Sequence, residues 1–358
     1  MPSLFDPIRL GAIMAPNRII MAPLTRGRAT REHVPTPLMA EYYAQRAGAG
    51  LIISEATGIS QQGLGWPYAP GLWNADQVAA WQPVTAAVHQ ANGRIAAQLW
   101  HMGQLVHPDF LGGQPPVAAS ATTAPDAAHT YDGKKPYHQA RALRLDEIPA
   151  LLDDYRRAAR NALDAGFDGV QIHAANGYLI DEFLRDGTNH RTDDYGGPVE
   201  NRVRLLREVV QAVAETVGAD RTGVRLSPNG AIQGCNDSDP VRLFVAAAEV
   251  LQEAGIAYLE MREPGEGGTF GTSDHPPIAP MMRRVFTGSM ILNSDYDPEG
   301  AAAALADGKA DAIAFGRPFI ANPDLPHRIA GGVPLARDVA RTWYSQGPEG
   351  YVDYPVAA

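Results

Sequence analysis

Cys235 is the only cysteine among 358 residues. No intramolecular disulfide and no paired-cysteine metal knuckle can therefore form, and an iron–sulfur cluster has no ligand set. The thiol reads as incidental. Lysine is almost as scarce, with only Lys134, Lys135 and Lys309. Positive charge is in deficit, 30 Lys and Arg against 40 Asp and Glu for a formal net charge of -10, which argues against a nucleic-acid or anionic-membrane partner. No apolar run approaches the roughly 20 residues that a membrane span requires. The start, Met1-Pro-Ser-Leu-Phe-Asp6, lacks a basic region followed by an apolar core, so no signal peptide is expected. The expectation is a soluble, cytoplasmic protein.

What the chain does have is alternation. Strand-like apolar runs fall at 17–24, 50–57, 94–101, 169–176, 222–227, 258–263, 290–293 and 311–316. Helical periodicity occupies 36–47, 75–90, 146–165, 200–217, 240–254, 277–285, 298–307 and the stretch from Pro318. Eight strands alternating with helices predict an α/β fold in which a parallel sheet closes into a single (β/α)8 TIM barrel spanning 1–358. An open doubly wound sheet would need a glycine fingerprint after the first strand, and none is there. The glycine-rich run Gly265–Gly271 follows the sixth strand without opening a helix, and reads as a flexible loop. Two segments exceed ordinary loop length. A Pro- and Gly-rich insertion at about 102–142 follows the third strand, where long loops cap a barrel's active face; a tail at about 331–358 carries Trp343, Tyr344, Tyr351 and Tyr354. Such a tail is expected to dock on the body or on another subunit.

In this fold the C-terminal strand ends build the site. They offer Pro23, Leu24 and Thr25; Glu55 and Ala56; Gln98, Trp100 and His101; His173, Asn176 and Tyr178; Arg225; and Gly316 with Arg317. No lysine stands at a strand end, so a Schiff-base lyase is set aside. Glu55, His101, His173 and Glu260 could converge on a metal, but no strand carries paired ligands and strand one offers only Thr25. A flavin fits better. Gln98 and Arg225 supply an amide and a cation for the pyrimidine edge, and Gly316-Arg317-Pro318 supplies N–H groups and a cation for a phosphate. Within Gly169–Tyr178, His173 and Asn176 could hold a carbonyl oxygen while Tyr178 gives a proton. The bland alternative is a core histidine followed by an Asn-Gly turn.

In chain order the sequence carries Asn17-Arg-Ile-Ile-Met-Ala-Pro-Leu-Thr-Arg26, Tyr42-Tyr-Ala-Gln-Arg46, Leu51-Ile-Ile-Ser-Glu-Ala-Thr57, Gln98-Leu-Trp-His101 and His173-Ala-Ala-Asn-Gly-Tyr178. Asp193-Asp-Tyr-Gly-Gly197, Arg225-Leu-Ser-Pro228 and Phe315-Gly-Arg-Pro-Phe319 follow. In these motifs and their order the chain resembles the old yellow enzyme family. The chain is most similar to bacterial ene-reductases of the N-ethylmaleimide reductase and pentaerythritol tetranitrate reductase kind. The resemblance implies noncovalent FMN contacted by Pro23, Leu24, Thr25, Ala56, Gln98, Arg225, Ser294, Gly316 and Arg317, with NADPH or NADH as reductant. It implies reduction of a carbon–carbon double bond conjugated to a carbonyl or nitro group. Hydride goes from flavin N5 to the β-carbon and a proton from Tyr178 to the α-carbon, while His173 and Asn176 bind the activating oxygen. Trp66, Trp100, Phe270 and Tyr351 are expected to line the pocket for small activated alkenes, in a monomer or a homodimer. Alternatives are a nitroester, nitro-compound or quinone reductase on the same site, or a barrel that binds flavin without turnover. Three departures stand out. Ser294 and Asp295 occupy a phosphate loop where relatives often have glycine, Trp66 replaces a common pocket tyrosine, and Thr25 takes a position that is cysteine in another branch.

Overall fold

Residues 2–230, 232–265, 273 and 275–357 are described by the structure, a computed structural model. Eight parallel strands close on themselves: β1 Ile19–Met21, β2 Leu51–Gly58, β3 Ile95–Trp100, β4 Gly169–His173, β5 Thr222–Leu226, β6 Tyr258–Arg262, β7 Ser289–Asn293 and β8 Ala312–Phe315. Closure is the β8–β1 pairing, Ile313 against Ile19 through Phe315 against Met21. Helices cover the outside and side chains fill the inside, so strands such as β2 and β4 are buried at every position; this is why their sequences read as continuous apolar runs rather than alternating ones.

Local signals set the helix boundaries. Asn74 accepts from the backbone of Gln77 in a reciprocal capping box that starts Ala75–Gln90, and Asp239 and Asp297 cap Pro240–Ala254 and Pro298–Ala306, each with Pro in its first turn. Arg204–Val217 buries Leu205, Leu206, Val209, Val210, Val213 and Val217 on one stripe, the spacing of a helix lying on a sheet. An antiparallel hairpin, Ile8–Leu10 with Ile13–Ala15, stoppers the N-terminal mouth. Its Leu10, Ile13 and Ala15 join Ile20, Leu51, Ile53, Ala96 and Ile291 in the core inside the barrel.

Three elements differ from expectation. β1 stops at Met21 rather than continuing to 24; Ala22 still donates to the Phe315 carbonyl at 3.0 Å, but Pro23 has no N–H to extend the ladder. The helix expected at 277–285 is α-helical only over Ala279–Met282. The insertion is not structureless, for it holds a hairpin, Ala127–Thr130 with Gly133–Pro136, and a short parallel pair, Val117–Ala118 with Arg141–Ala142. Of the glycine-rich run only Gly265 lies among the described residues. No described helix is long and apolar enough to cross a membrane.

The tail docks on its own barrel. Arg26 donates to the carbonyls of Trp343 (3.1 Å) and Gly350 (2.7 Å), and Arg28 to those of Trp343 (2.8 Å) and Thr342 (3.0 Å). Tyr351 stacks on Tyr42 with centroids 4.0 Å apart. The Arg26 loop is itself held by the fully buried Glu55, whose Oε2 accepts from the N–H groups of Arg26 and Gly27, both at 3.2 Å. Burial raises Glu55 from 4.5 to about 7. The folded protein thus retains a proton that the unfolded chain loses first. The contribution is complete below 4.5 and is lost as pH climbs through 7, a swing of about 3 kcal/mol. Glu55→Gln is therefore expected to flatten the fall in stability across that interval, read as the wild-type minus variant difference in urea unfolding free energy at successive pH values. A difference that does not change with pH would refute it.

Candidate active site

A cavity of about 1140 Å³ opens at the C-terminal mouth, and every barrel strand feeds it. Pro23, Leu24 and Thr25 come from the exit of β1, Ala56 from β2, Gln98 from β3, and His173, Asn176 and Tyr178 from β4 and its loop. Arg225 comes from β5, Arg262 from β6, Asn293 and Ser294 from β7, and Gly316 and Arg317 from β8. Ala56 reaches the cavity because the β2–β3 register slips between Ile53 and Ala56, an irregularity of the kind that re-aims residues at barrel rims.

The floor is a continuous polar relay. Gln98 Nε2 donates to Gln171 Oε1 (2.8 Å), and Gln171 Nε2 to Glu260 Oε2 (2.6 Å). Arg225 donates to Glu260 Oε1 and to Asn293 Oδ1 (2.8 Å), and Asn293 Nδ2 to the Ala314 carbonyl (2.7 Å). Arg225 is thus both a structural ion-pair partner and a wall of the cavity. The relay takes one N–H of Gln98 Nε2 and leaves the second N–H and Oε1 for other partners.

On the β4 side, His173 is buried and its ring meets Tyr178 edge-on at 4.9 Å. Burial first, then Arg225 and Arg262, hold the imidazole well below its ordinary range, so it is neutral at pH 7 and donates from one nitrogen only. Desolvation pushes the Tyr178 phenol above its ordinary value. It therefore keeps its proton at neutral pH, as an acid must until the moment of transfer.

Two residues expected to line the pocket do not border this cavity. Trp100 is 1% exposed and lies outside the cavity lining, edge-on behind Tyr178 at 5.0 Å, because β3 turns it toward the inner face of the insertion. Tyr351 is completely buried against Tyr42 under Arg26 and Arg28, locked there by the docked tail. The tail aromatics that line the cavity are Trp343 and Tyr344; Tyr344 meets Trp66 at 5.1 Å, and Trp66, itself lining the cavity, also meets His129 of that lining at 4.7 Å. Phe270 lies outside the described residues. Among residues not singled out beforehand, Tyr137 lines the wall from beyond the hairpin, with nothing local in its sequence to mark it. Arg262 was detectable, since Tyr258, Glu260 and Arg262 share one face of β6 by the two-residue strand period.

A flavin mononucleotide fits this donor set. Arg225 Nε and His173 Nδ1 are buried without protein partners, and the Gln98 amide, the Thr25 hydroxyl and the Arg317 guanidinium line the same cavity. A closed parallel barrel with a cation, an amide and a hydroxyl around a cavity of this size defines the class of flavin-dependent oxidoreductases.

The family model of the NADH:flavin oxidoreductase / NADH oxidase family matches residues 3–336. The old yellow enzyme homologue from Zymomonas mobilis superposes with a TM-score of 0.98 at 65% identity, covering 99% of this chain and 100% of that one. Morphinone reductase in complex with tetrahydroNAD gives a TM-score of 0.94 at 46% identity, with 100% and 98% covered. 12-Oxophytodienoate reductase 1 of Oryza sativa subsp. japonica is 43% identical over 357 residues, 98% of this chain and 92% of the relative. The chain belongs to the NADH:flavin oxidoreductase family, in its old yellow enzyme branch. It is an FMN-dependent, NAD(P)H-driven oxidoreductase that reduces activated alkenes.

The β7 exit stores strain. Ser294 has φ +140° and Asp295 φ +48°, conformations in which a side chain is costly. Ser294→Gly is expected to stabilise the protein by about 1 kcal/mol, measured as a rise in the urea midpoint at unchanged slope. A fall would mean that the hydroxyl makes a compensating contact.

Proposed function

We propose that the conjugated carbonyl or nitro oxygen of the substrate is bound by His173 and Asn176 and that Tyr178 protonates the α-carbon. The observation that carries this reading is the meeting of a neutral imidazole, an amide and a protonated phenol on one wall of the cavity. Donors fixed on the oxygen draw electron density from the double bond and stabilise the charge that develops there. When bound and reduced by NAD(P)H, FMN would be the source of the hydride taken up at the β-carbon. Tyr178 then gives its proton to the adjacent carbon, and Trp100 braces the phenol from behind. Pro23, Leu24, Thr25, Ala56, Gln98 and Arg225 would hold the flavin ring, and Ser294, Gly316 and Arg317 its phosphate. Trp66 and Tyr344 narrow the entrance to flat, small substrates. The chain works as one barrel unit over 1–358, with the insertion and the tail both serving as its cap. The same reading puts it in the cytoplasm as a monomer or a homodimer, without nucleic-acid or membrane partners.

Tyr178→Phe separates this from a reductase of quinones or nitro groups, which needs no carbon protonation from the phenol. Reduction of 2-cyclohexenone is expected to fall by about 100-fold or more, while NADPH oxidation by a quinone stays within a few-fold of wild type. Equal losses in both assays would remove Tyr178 as the acid. Arg317→Ala is expected to shed FMN on dialysis, seen as loss of the visible flavin spectrum from the retained protein; full retention would count against the phosphate assignment.

A further inference from the structure

Arg262 ends β6 with its side chain 6% exposed, lining the cavity beside the His173/Asn176 pair. Its Nη1 lies 3.1 Å from Asn176 Oδ1. A guanidinium can only donate, so this contact requires the oxygen of the Asn176 amide to face Arg262. The amide is planar, and its NH2 must then turn the other way. The rest of Asn176 is already fixed. Its N–H donates to Ser227 Oγ at 2.8 Å, and its φ is +61°. Gly177 follows at φ +77°, where an added Cβ would come within 2.6 Å of Gln233 Cβ. With the backbone held this firmly, the remaining freedom at Asn176 is which end of the amide meets the ligand.

That freedom matters because an amide presents either two donors or one acceptor. Only the donor end can bind a carbonyl, nitro or phenolate oxygen. With the amide reversed, an N–H would face the guanidinium N–H and an oxygen would face the substrate's oxygen, so both contacts would be repulsive.

We propose that Arg262 is a positioning residue for the oxygen-binding pair, which by donating to Asn176 Oδ1 holds the Asn176 NH2 toward the substrate's activating oxygen. This rests on the assignment of His173 and Asn176 as that pair. The rival role is purely electrostatic. Arg262 stands close enough to His173 to contribute, after burial and Arg225, to keeping the imidazole neutral, and a nearby cation alone would attract a phenolate.

A double-mutant cycle on the FMN-loaded enzyme decides between them, with binding of 4-nitrophenol read from the long-wavelength absorption of the flavin–phenolate complex. Arg262→Met, which cannot donate, is expected to weaken binding about tenfold, the effect of one lost hydrogen bond. Arg262→Lys, which can, is expected to recover most of it. In an Asn176→Ala background the same Arg262→Met change is expected to cost less than about twofold, since the group it positions is gone. An equal loss in both backgrounds, or no loss in either, overturns the proposal. If Arg262→Met does not retain FMN, Arg262→Ala replaces it, with millimolar guanidinium ion expected to restore phenol binding only where Asn176 is present; rescue without Asn176 overturns the proposal equally. His173→Ala is the control for the underlying assignment. Should that variant bind 4-nitrophenol as the wild type does, the oxygen-binding pair itself is misassigned. If it binds weakly while Arg262→Met binds normally, only the role of Arg262 fails.

Discussion

Glu260 is a carboxylate with no exposed surface in the middle of a barrel, and the geometry of the site follows from the need to neutralise it. An unpaired charge there would be untenable, and removing one partner of such a pair costs about 3–5 kcal/mol. Arg225 answers on one oxygen and Gln171 on the other. Each answer has a consequence at the floor of the cavity. Gln171 donates to Glu260 and so offers its oxygen to Gln98, which lines the cavity. Arg225 is drawn back far enough to reach Asn293 as well, leaving its Nε buried and without a protein partner. The donor and acceptor pattern presented to a flavin ring is therefore fixed before any ligand arrives. That is preorganisation by a charge the ligand never touches.

Around this floor the walls are held by different means, and the differences track what each wall does. The β1 exit, with Thr25, is tethered to buried Glu55 and to the docked tail through Arg26. The β4 exit, with Tyr178, is braced by aromatic edges from Trp100 and His173. Both exits rest on buried side chains, Glu55 and Arg26 at one and Trp100 and His173 at the other. The rim is looser: Tyr344 is 46% exposed and meets Trp66 across the mouth. A site that must admit NAD(P)H and the alkene in turn needs its rigidity on the flavin side and its tolerance at the entrance.

The barrel and most of its floor could be read from the sequence, because parallel strands buried on both faces leave runs that length and flanking turns identify, and because barrel sites draw on strand ends. Gln98, His173, Arg225 and Gly316 needed nothing more than that. Arg262 obeyed the same rule two residues beyond Glu260 and was missed because an arginine at a strand end reads equally well as a surface ion pair. The aromatic residues were a different problem. Trp100 and Tyr178 lie near consecutive strand ends, yet one turns outward behind the other, and strand position does not report that rotation. Tyr351 and Tyr344 belong to a tail with no period at all. Which of them reaches the mouth is decided by the carbonyls of Thr342, Trp343 and Gly350, where Arg26 and Arg28 take hold, and no pattern in the chain foretells main-chain contacts of that kind.

Asp295 is where local sequence and proposed role pull against each other. It lies at the β7 exit beside Arg317, with oxygen and nitrogen 3.4 Å apart and the two side chains 40% and 39% exposed. At that exposure the pair contributes at most about 1 kcal/mol, so it cannot be what holds either side chain in place. An arriving phosphate, carrying close to two negative charges, would outcompete a single screened carboxylate for the guanidinium, and Asp295 would then stand as a like charge near the new ligand. The cost is modest if Asp295 turns toward solvent, which its exposure permits. Backbone N–H groups at the β7 and β8 exits would then share with Arg317 the work of holding a phosphate. Such groups are directional, and they are available only while the backbone keeps its shape. The unusual torsions at Ser294 and Asp295 are then less an imperfection than the condition under which those N–H groups can point inward, which gives a physical reason for tolerating strain there.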